Sequence, residues 1–258
     1  MYTQNIGLKE KLAIVEDIIL IDSDGKYGNH VLVPDNNAEI IIPISDEVCF
    51  QCIGSMRSLR LLKEQSYFMM PRRRGAEIPL MPKTQCLVIK VNPIYARKIS
   101  NSKKEISNGV FELGFTVRQQ KRLLGFSSII DRYEASDLLE SMLEGVDDLY
   151  EYNSTILDSI EHIKDTHGTV SVKEIYSELN VSKSKLEQHF NKEIGLTPKE
   201  FCKIEKINHF ISIYQSNDLV SLTELTYQCG YYDQSHLIKD FKYFLDTSPS
   251  KYFKSLNC

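Results

Sequence analysis

The chain has 258 residues, 42% of them hydrophobic and 26% charged, a composition that fits two folded globular domains and excludes a disordered or fibrous chain. Thirty-one Lys+Arg against thirty-five Asp+Glu leave a formal charge of −4, which taken alone argues against a nucleic-acid binder. Apolar runs such as Ile40–Ile44 are strand-length, far below the ~20 residues of a membrane span. Glu16 and Asp17 interrupt the N-terminal apolar stretch, so no signal peptide and no membrane partner are expected, and the expected location is cytoplasmic.

From Ile18 to about Asn101 the pattern is β. Short β-branched runs (Ile40–Ile44, Leu87–Val91) are separated by turn clusters at Asp22–Gly25, Pro34–Asn37 and Arg74-Gly75. Prolines 34, 43, 71, 79, 82 and 93 suit strand ends and corners. The expectation for residues 1–116 is a compact β-rich sandwich or barrel, cupin-like in outline, serving as a sensor or regulatory domain. Cys49-x-x-Cys52 reads as packing cysteines, since an i,i+3 pair on a strand points to opposite faces and no second pair accompanies it. A cupin-like metal site would need several His ligands, and this region holds only His30, so no metal is expected. Arg72-Arg73-Arg74 reads as a solvated turn between strands; it could also hold an anionic effector or touch DNA. Neither a G-x-S-x-G elbow nor a phosphate-binding glycine loop occurs, so no enzyme activity, catalytic residue or cofactor is expected.

Residues 117–153 change character. Ile129, Ile130, Tyr133, Leu138, Leu139, Met142, Leu143, Val146 and Leu149 recur at helical spacing and form one apolar stripe. Such a connector either packs on the β domain or serves as a dimerisation element.

Residues 154–258 read as all-helical and contain an internal repeat. Ser171-Val-Lys-Glu-Ile175 lies over Ser221-Leu-Thr-Glu-Leu225, both capping boxes. Each is followed by a turn (Asn180-Val181, Gly230-Tyr231), then by Leu186-x-x-x-Phe190 or Leu237-x-x-x-Phe241, and then by Thr197-Pro198 or Ser248-Pro249. The offset grows from 50 to 51 residues, so the second turn carries one inserted residue. A short helix, a tight turn and a second helix make a helix-turn-helix, here present twice. In the first unit Ser182 caps a helix that buries Leu186, Phe190 and Ile194 and shows Lys183, Ser184, Lys185, Glu187 and Gln188 on its other face. In the second, Asp233 caps a helix that buries Leu237, Phe241 and Phe244 and shows Gln234, Ser235, His236, Lys239 and Asp240. Polar side chains in the first turns of such a helix can reach base edges in a major groove. Between the units, Phe201, Ile204, Ile207, Ile211 and Tyr214 mark a helix over Pro198–Ser216. At 1.5 Å per residue it would hold the units ~28 Å apart, near one turn of B-DNA.

These residues resemble the DNA-binding domain of the AraC/XylS transcriptional regulators over Val170–Phe253, most specifically in Ser221–Leu237 and in Phe241…Ser248-Pro-Ser-Lys-Tyr252. The resemblance implies two helix-turn-helix units on a linker helix. It also makes Pro34–Pro43, Met70–Arg74 and Leu87–Pro93 similar to the β-rich sensor domain of many bacterial members. The fold class is therefore α+β in two domains, β-rich then all-α.

The C-terminal part departs from that pattern. Its twelve Lys, no Arg and fourteen Asp+Glu give −2, the same as the first half. Gln188 and Lys239 stand where the family often has Arg. The expected function is a bacterial, sequence-specific, DNA-binding transcriptional regulator, more an activator by analogy. Lys183, Lys185 and Lys239 would meet phosphate or bases, Ser184, Gln188, Gln234, Ser235 and His236 would read base edges, and Glu187 would face a cytosine amino group or repel phosphate. Expected partners are double-stranded DNA, RNA polymerase, a small-molecule effector in the first domain and a second copy as homodimer. The alternative is an interaction antagonist of a related regulator that has weakened or lost DNA binding.

Overall fold

The computed structural model of the chain describes residues 13–101, 103–107, 109–125, 132–143, 153–216 and 221–256. The stripe positions Ile129, Ile130, Val146 and Leu149 lie outside them.

The N-terminal strands are β1 (Val15–Asp22), β2 (Gly28–Leu32), β3 (Ala38–Pro43), β4 (Glu47–Cys52), β5 (Ser58–Leu62), β6 (Tyr67–Met69), β7 (Ala76–Leu80), β8 (Gln85–Val91), β9 (Lys104–Ser107) and β10 (Val110–Glu112). They pair antiparallel in two sheets, one ordered β1-β8-β3-β6-β10-β9 and the other β2-β7-β4-β5. Of the two expected forms, the described strands make the sandwich and not the closed barrel: two sheets that share no strand. The larger sheet has no need to close on itself because both of its faces are covered. Along β3, Ile41 enters the core shared with Phe50 and Ile78 of the smaller sheet. Its neighbours Ile40 and Ile42 face the other way, into a core shared with the helices. A strand buried on both sides needs a near-continuous apolar run, and AEIIIP supplies it.

After β8 a 3-10 turn (Pro93–Tyr95) leads into α1 (Ala96–Asn101). The connector supplies α2 (Val117–Leu123), opened by a Thr116/Gln119 capping box, and α3 (Arg132–Met142). Ala135, Leu138 and Leu139 of α3 are buried in the helix-side core. The Ser136 hydroxyl accepts from the Val15 N–H of β1 at 3.1 Å. Leu138, Leu139, Met142 and Leu143 of the stripe thus pack into the core shared with the β domain, while Tyr133 is exposed.

The C-terminal helices are α4 (Ser154–Asp165), α5 (Val172–Glu178), α6 (Lys183–Glu193), α7 (Pro198–Ser216), α8 (Leu222–Gln228), α9 (Gln234–Leu245) and α10 (Pro249–Leu256). Their buried residues, from Ile156 to Phe253, belong to the same apolar cluster as Ile40, Phe68 and Leu87 of the sheet. Among the described residues no helix is long and apolar enough to cross a membrane.

Candidate nucleic-acid interface

Two helix pairs repeat one local solution. In α5 the Ser171 hydroxyl accepts from the Glu174 N–H at 3.2 Å while the Glu174 carboxylate accepts from the Ser171 N–H at 2.8 Å, a complete capping box. These bonds favour the ionised carboxylate and hold the Glu174 pKa below its usual range. In α8 the Ser221 hydroxyl likewise accepts from the Glu224 N–H, at 3.1 Å. Both helices end in a 6→1 bond, Val181 N–H to Tyr176 C=O at 3.0 Å and Tyr231 N–H to Thr226 C=O at 3.1 Å. The residue before each donor is left-handed, Asn180 at φ 53° and Gly230 at φ 69°. Asn tolerates that conformation. At position 230 a Cβ would lie 2.9 Å from the Thr169 methyl, so glycine is required for space as well. Four residues separate α5 from α6 and five separate α8 from α9, which is the inserted residue.

The second helix of each pair carries the polar residues singled out above. On α6, capped by Ser182 through the Lys185 N–H at 3.2 Å, Lys183, Ser184, Lys185 and Gln188 are exposed. Glu187 is half-buried and lies 3.7 Å from Lys183 Nζ, so its charge is met within its own helix. His189 is half-buried against Asn153. On α9, capped by Asp233 through the His236 N–H at 2.8 Å, Ser235, His236 and Lys239 are exposed. Gln234 is half-buried and donates to Thr223 Oγ1 at 2.6 Å, which ties it to the first turn of α8. Asp240 does not belong to this exposed face. It is 3% exposed and paired with Lys203 Nζ of α7 at 2.7 Å.

The β domain holds both pairs by their far ends. Arg73 Nε lies 2.8 Å from Glu200 Oε1, and Arg73 Nη2 donates to the Gly195 carbonyl just past α6 at 3.2 Å. Arg74 Nε donates to the Tyr243 carbonyl near the end of α9 at 2.7 Å, its guanidinium 5.4 Å from the Tyr243 ring centroid. The Gly75 N–H donates to the Phe244 carbonyl at 2.9 Å. From the 34–36 turn, Asn36 Nδ2 donates to the Phe201 carbonyl at 3.0 Å, and the Pro34 carbonyl accepts from Asn208 Nδ2 at 2.6 Å. The arginine run is therefore an interdomain clamp rather than a solvated turn. It closes on partners more than 120 positions away, which no local pattern announces. With the C-terminal ends of α6 and α9 held, their N-terminal turns lie at the opposite, free ends.

Arg72 turns inward instead. Its Nη2 lies 2.8 Å from Glu39 Oε1, and its guanidinium sits 5.4 Å from the Phe50 ring centroid. Lys90 also contacts Glu39, and lies 3.0 Å from Asp35. Burial alone would push the Glu39 carboxyl up, but Arg72 and Lys90 outweigh it and hold Glu39 below the usual carboxylate range. Burial likewise opposes charge on Lys90, and Glu39 and Asp35 overcome it.

Three lysines of α7 escaped the sequence reading, although their spacing i, i+4, i+7 was a signal. Lys199, Lys203 and Lys206 fall on one side of α7. Glu205 and Asn208, which contact the β domain, fall roughly opposite at ~100° per residue, and Glu200, paired with Arg73, falls at about a right angle to the lysines. The lysines line a cleft of about 530 Å³ with His236 and Asp240 of α9 and with Gly168–Val172 at the start of the first pair. Lys206 Nζ donates to the Gly230 carbonyl at 3.2 Å and lies 5.3 Å from the Tyr231 ring centroid. Burial pushes its pKa down, with Asp240 opposing.

Residues 175–255 match the model of a helix-turn-helix domain family. Over 83 residues the chain is 30% identical to the xylose operon regulatory protein of Escherichia coli, a match covering 32% of this chain and 21% of that protein, so it spans only about a fifth of this curated relative. Among solved structures, ToxT from Vibrio cholerae superposes with a TM-score of 0.60 at 13% identity, covering 94% of this chain and 98% of that one. A second ToxT structure, with unsaturated fatty acid bound, gives 0.55 at 15% identity over 93% and 95%. The C-terminal region of this chain thus matches a helix-turn-helix domain family, and the chain as a whole shares the two-domain fold of ToxT.

Proposed function

We propose that the chain is a sequence-specific DNA-binding transcriptional regulator, an activator acting with RNA polymerase, whose helices α6 and α9 enter adjacent major grooves. The observation that carries this reading is the orientation of the two pairs. Both second helices are gripped at their C-terminal ends by the β domain and leave exposed polar first turns at the other end. A 19-residue helix separates the pairs, a length of ~28 Å that suits successive grooves. Lys183, Lys185 and Lys239 meet phosphate or base; Ser184, Gln188, Ser235 and His236 read base edges; Gln234 contributes where its bond to Thr223 allows. The β domain is the seat of a small effector. The fatty acid bound to ToxT suggests an acidic one, and Arg72 and Lys90 are cations within the sandwich that could receive it. Selection of bound sequences from random duplexes across a salt series tests the proposal. It predicts an enriched bipartite site. No enrichment even at low salt contradicts it and favours the antagonist role instead.

A further inference from the structure

The C-terminal region carries a net charge of −2 and no arginine, yet it must approach a polyanion. A domain of that balance needs its positive charge concentrated where the phosphates run, because affinity depends on local phosphate contacts rather than on net charge. The two reading helices supply Lys183, Lys185 and Lys239, of which Lys183 is partly offset by Glu187. The cleft between the helices supplies three more lysines and a histidine against one carboxylate, Asp240.

Resting on the DNA-binding reading above, we infer that the lysine-lined side of α7 is a third, sequence-independent contact, gripping the DNA backbone between the two major grooves that α6 and α9 enter. Three placements carry this inference. The lysines lie on the side of α7 roughly opposite Glu205 and Asn208, which contact the β domain, and they share a cleft with α9 and with the start of the first helix pair. The cleft they line is bounded by His236, an exposed residue on the reading helix α9, and so is continuous with the second reading face. Two helices in successive major grooves straddle the intervening minor groove, whose flanking phosphates then lie against whatever sits between the helices. Here that is Lys199, Lys203 and Lys206.

Within the cleft the roles divide. Lys199 is exposed and free to reach a phosphate oxygen. Lys203 is held by Asp240 at 2.7 Å, which fixes it at the wall the cleft shares with α9. Lys206, fixed by the Gly230 carbonyl and the Tyr231 ring, contributes from the floor. None of these contacts touches a base edge, so the contact adds affinity and salt dependence but no sequence preference.

The test is fluorescence-anisotropy titration of the full chain with a selected duplex over a salt series, comparing wild type with Lys199→Glu, Lys199→Gln/Lys206→Gln and the β-domain control Lys63→Gln. Each lost phosphate contact lowers the slope of log K against log salt by about 0.9. The double variant should therefore lose close to two units of slope while selecting the same sequences, and Lys63→Gln should match wild type. Lys199→Glu changes an exposed side chain, so its slope reports even if Lys206→Gln unsettles the fold. Wild-type binding with an unchanged slope in Lys199→Glu and in the folded double variant overturns this inference alone. Failure of wild type to bind any duplex at low salt overturns the DNA-binding reading, and this inference with it.

Discussion

Glu39→Gln preserves the shape of the most buried carboxylate and removes its charge. The side chain is 1% exposed and faces both Arg72 and Lys90, themselves 12% and 5% exposed. After the substitution Asp35, 27% exposed, is the one carboxylate left 3.0 Å from Lys90, and Arg72 loses its ion pair. Removing one member of a buried ion pair costs ~3–5 kcal/mol, and partial relief of Lys90 by Asp35 places the expectation at the lower end. At roughly 2–4 °C per kcal/mol for a chain of this size unfolding as one unit, the Tm should fall by about 6–12 °C. Circular dichroism during thermal and urea unfolding at pH 7 measures it; the chain contains no tryptophan to report by fluorescence. The pH dependence gives an independent check. Because the folded-state pKa of Glu39 lies below the usual value, the stabilisation is complete above the unfolded pKa of ~4.3 and is lost as pH falls through the folded value. The gap between wild type and Glu39→Gln should therefore narrow on acidification below that point. A cost under about 1 kcal/mol, the range of an exposed pair, or a gap that stays constant into acid, would refute the account of this cluster.

Gly168→Ala should destabilise the helical domain by more than ~2 kcal/mol, because residue 168 has φ 72° and its Cβ would lie 2.1 Å from the Cys202 carbonyl oxygen; an unchanged Tm contradicts this. Lys239→Ala should weaken binding to all duplexes alike, whereas Gln188→Ala should relax the preference at one base pair by ~1–3 kcal/mol, and unchanged footprints in both would remove these faces from the interface. Burial pushes the thiols of Cys86 and Cys202 up to about 12 and that of Cys229 up to about 11, so alkylation at pH 8 followed by peptide mapping should label Cys49 ahead of those three, which react only on unfolding. Equal labelling rates would contradict their burial.

The helical half was legible because its signals are local. A capping box, a left-handed turn residue and a proline at the first helical position each act within one turn of chain, and the linker helix begins and ends at the residues its apolar spacing marks, Pro198 and Ser216. The strands were legible as elements, but the choice between sandwich and barrel was not, because AEIIIP and QCLVIKV read alike whether one face is covered or both. For the same reason nothing in the sequence pattern marks Glu39 and Lys90, which are buried against each other. Asp240 was misplaced because it lies at the edge of an amphipathic helix, where the neighbouring α7 decides which side is covered. Arg73 and Arg74 find their partners in the other domain, so their role appears only once the two domains are seen together.

The central claim is that α6 and α9 read two segments of one duplex, one helical turn apart. Hydroxyl-radical footprinting on a selected site tests it most directly, with Lys185→Ala and Lys239→Ala compared against wild type. The account predicts two protected windows on one face, ~10 base pairs apart, with Lys185→Ala weakening one window and Lys239→Ala the other. A single window, or two windows that fade together in both variants, would contradict it.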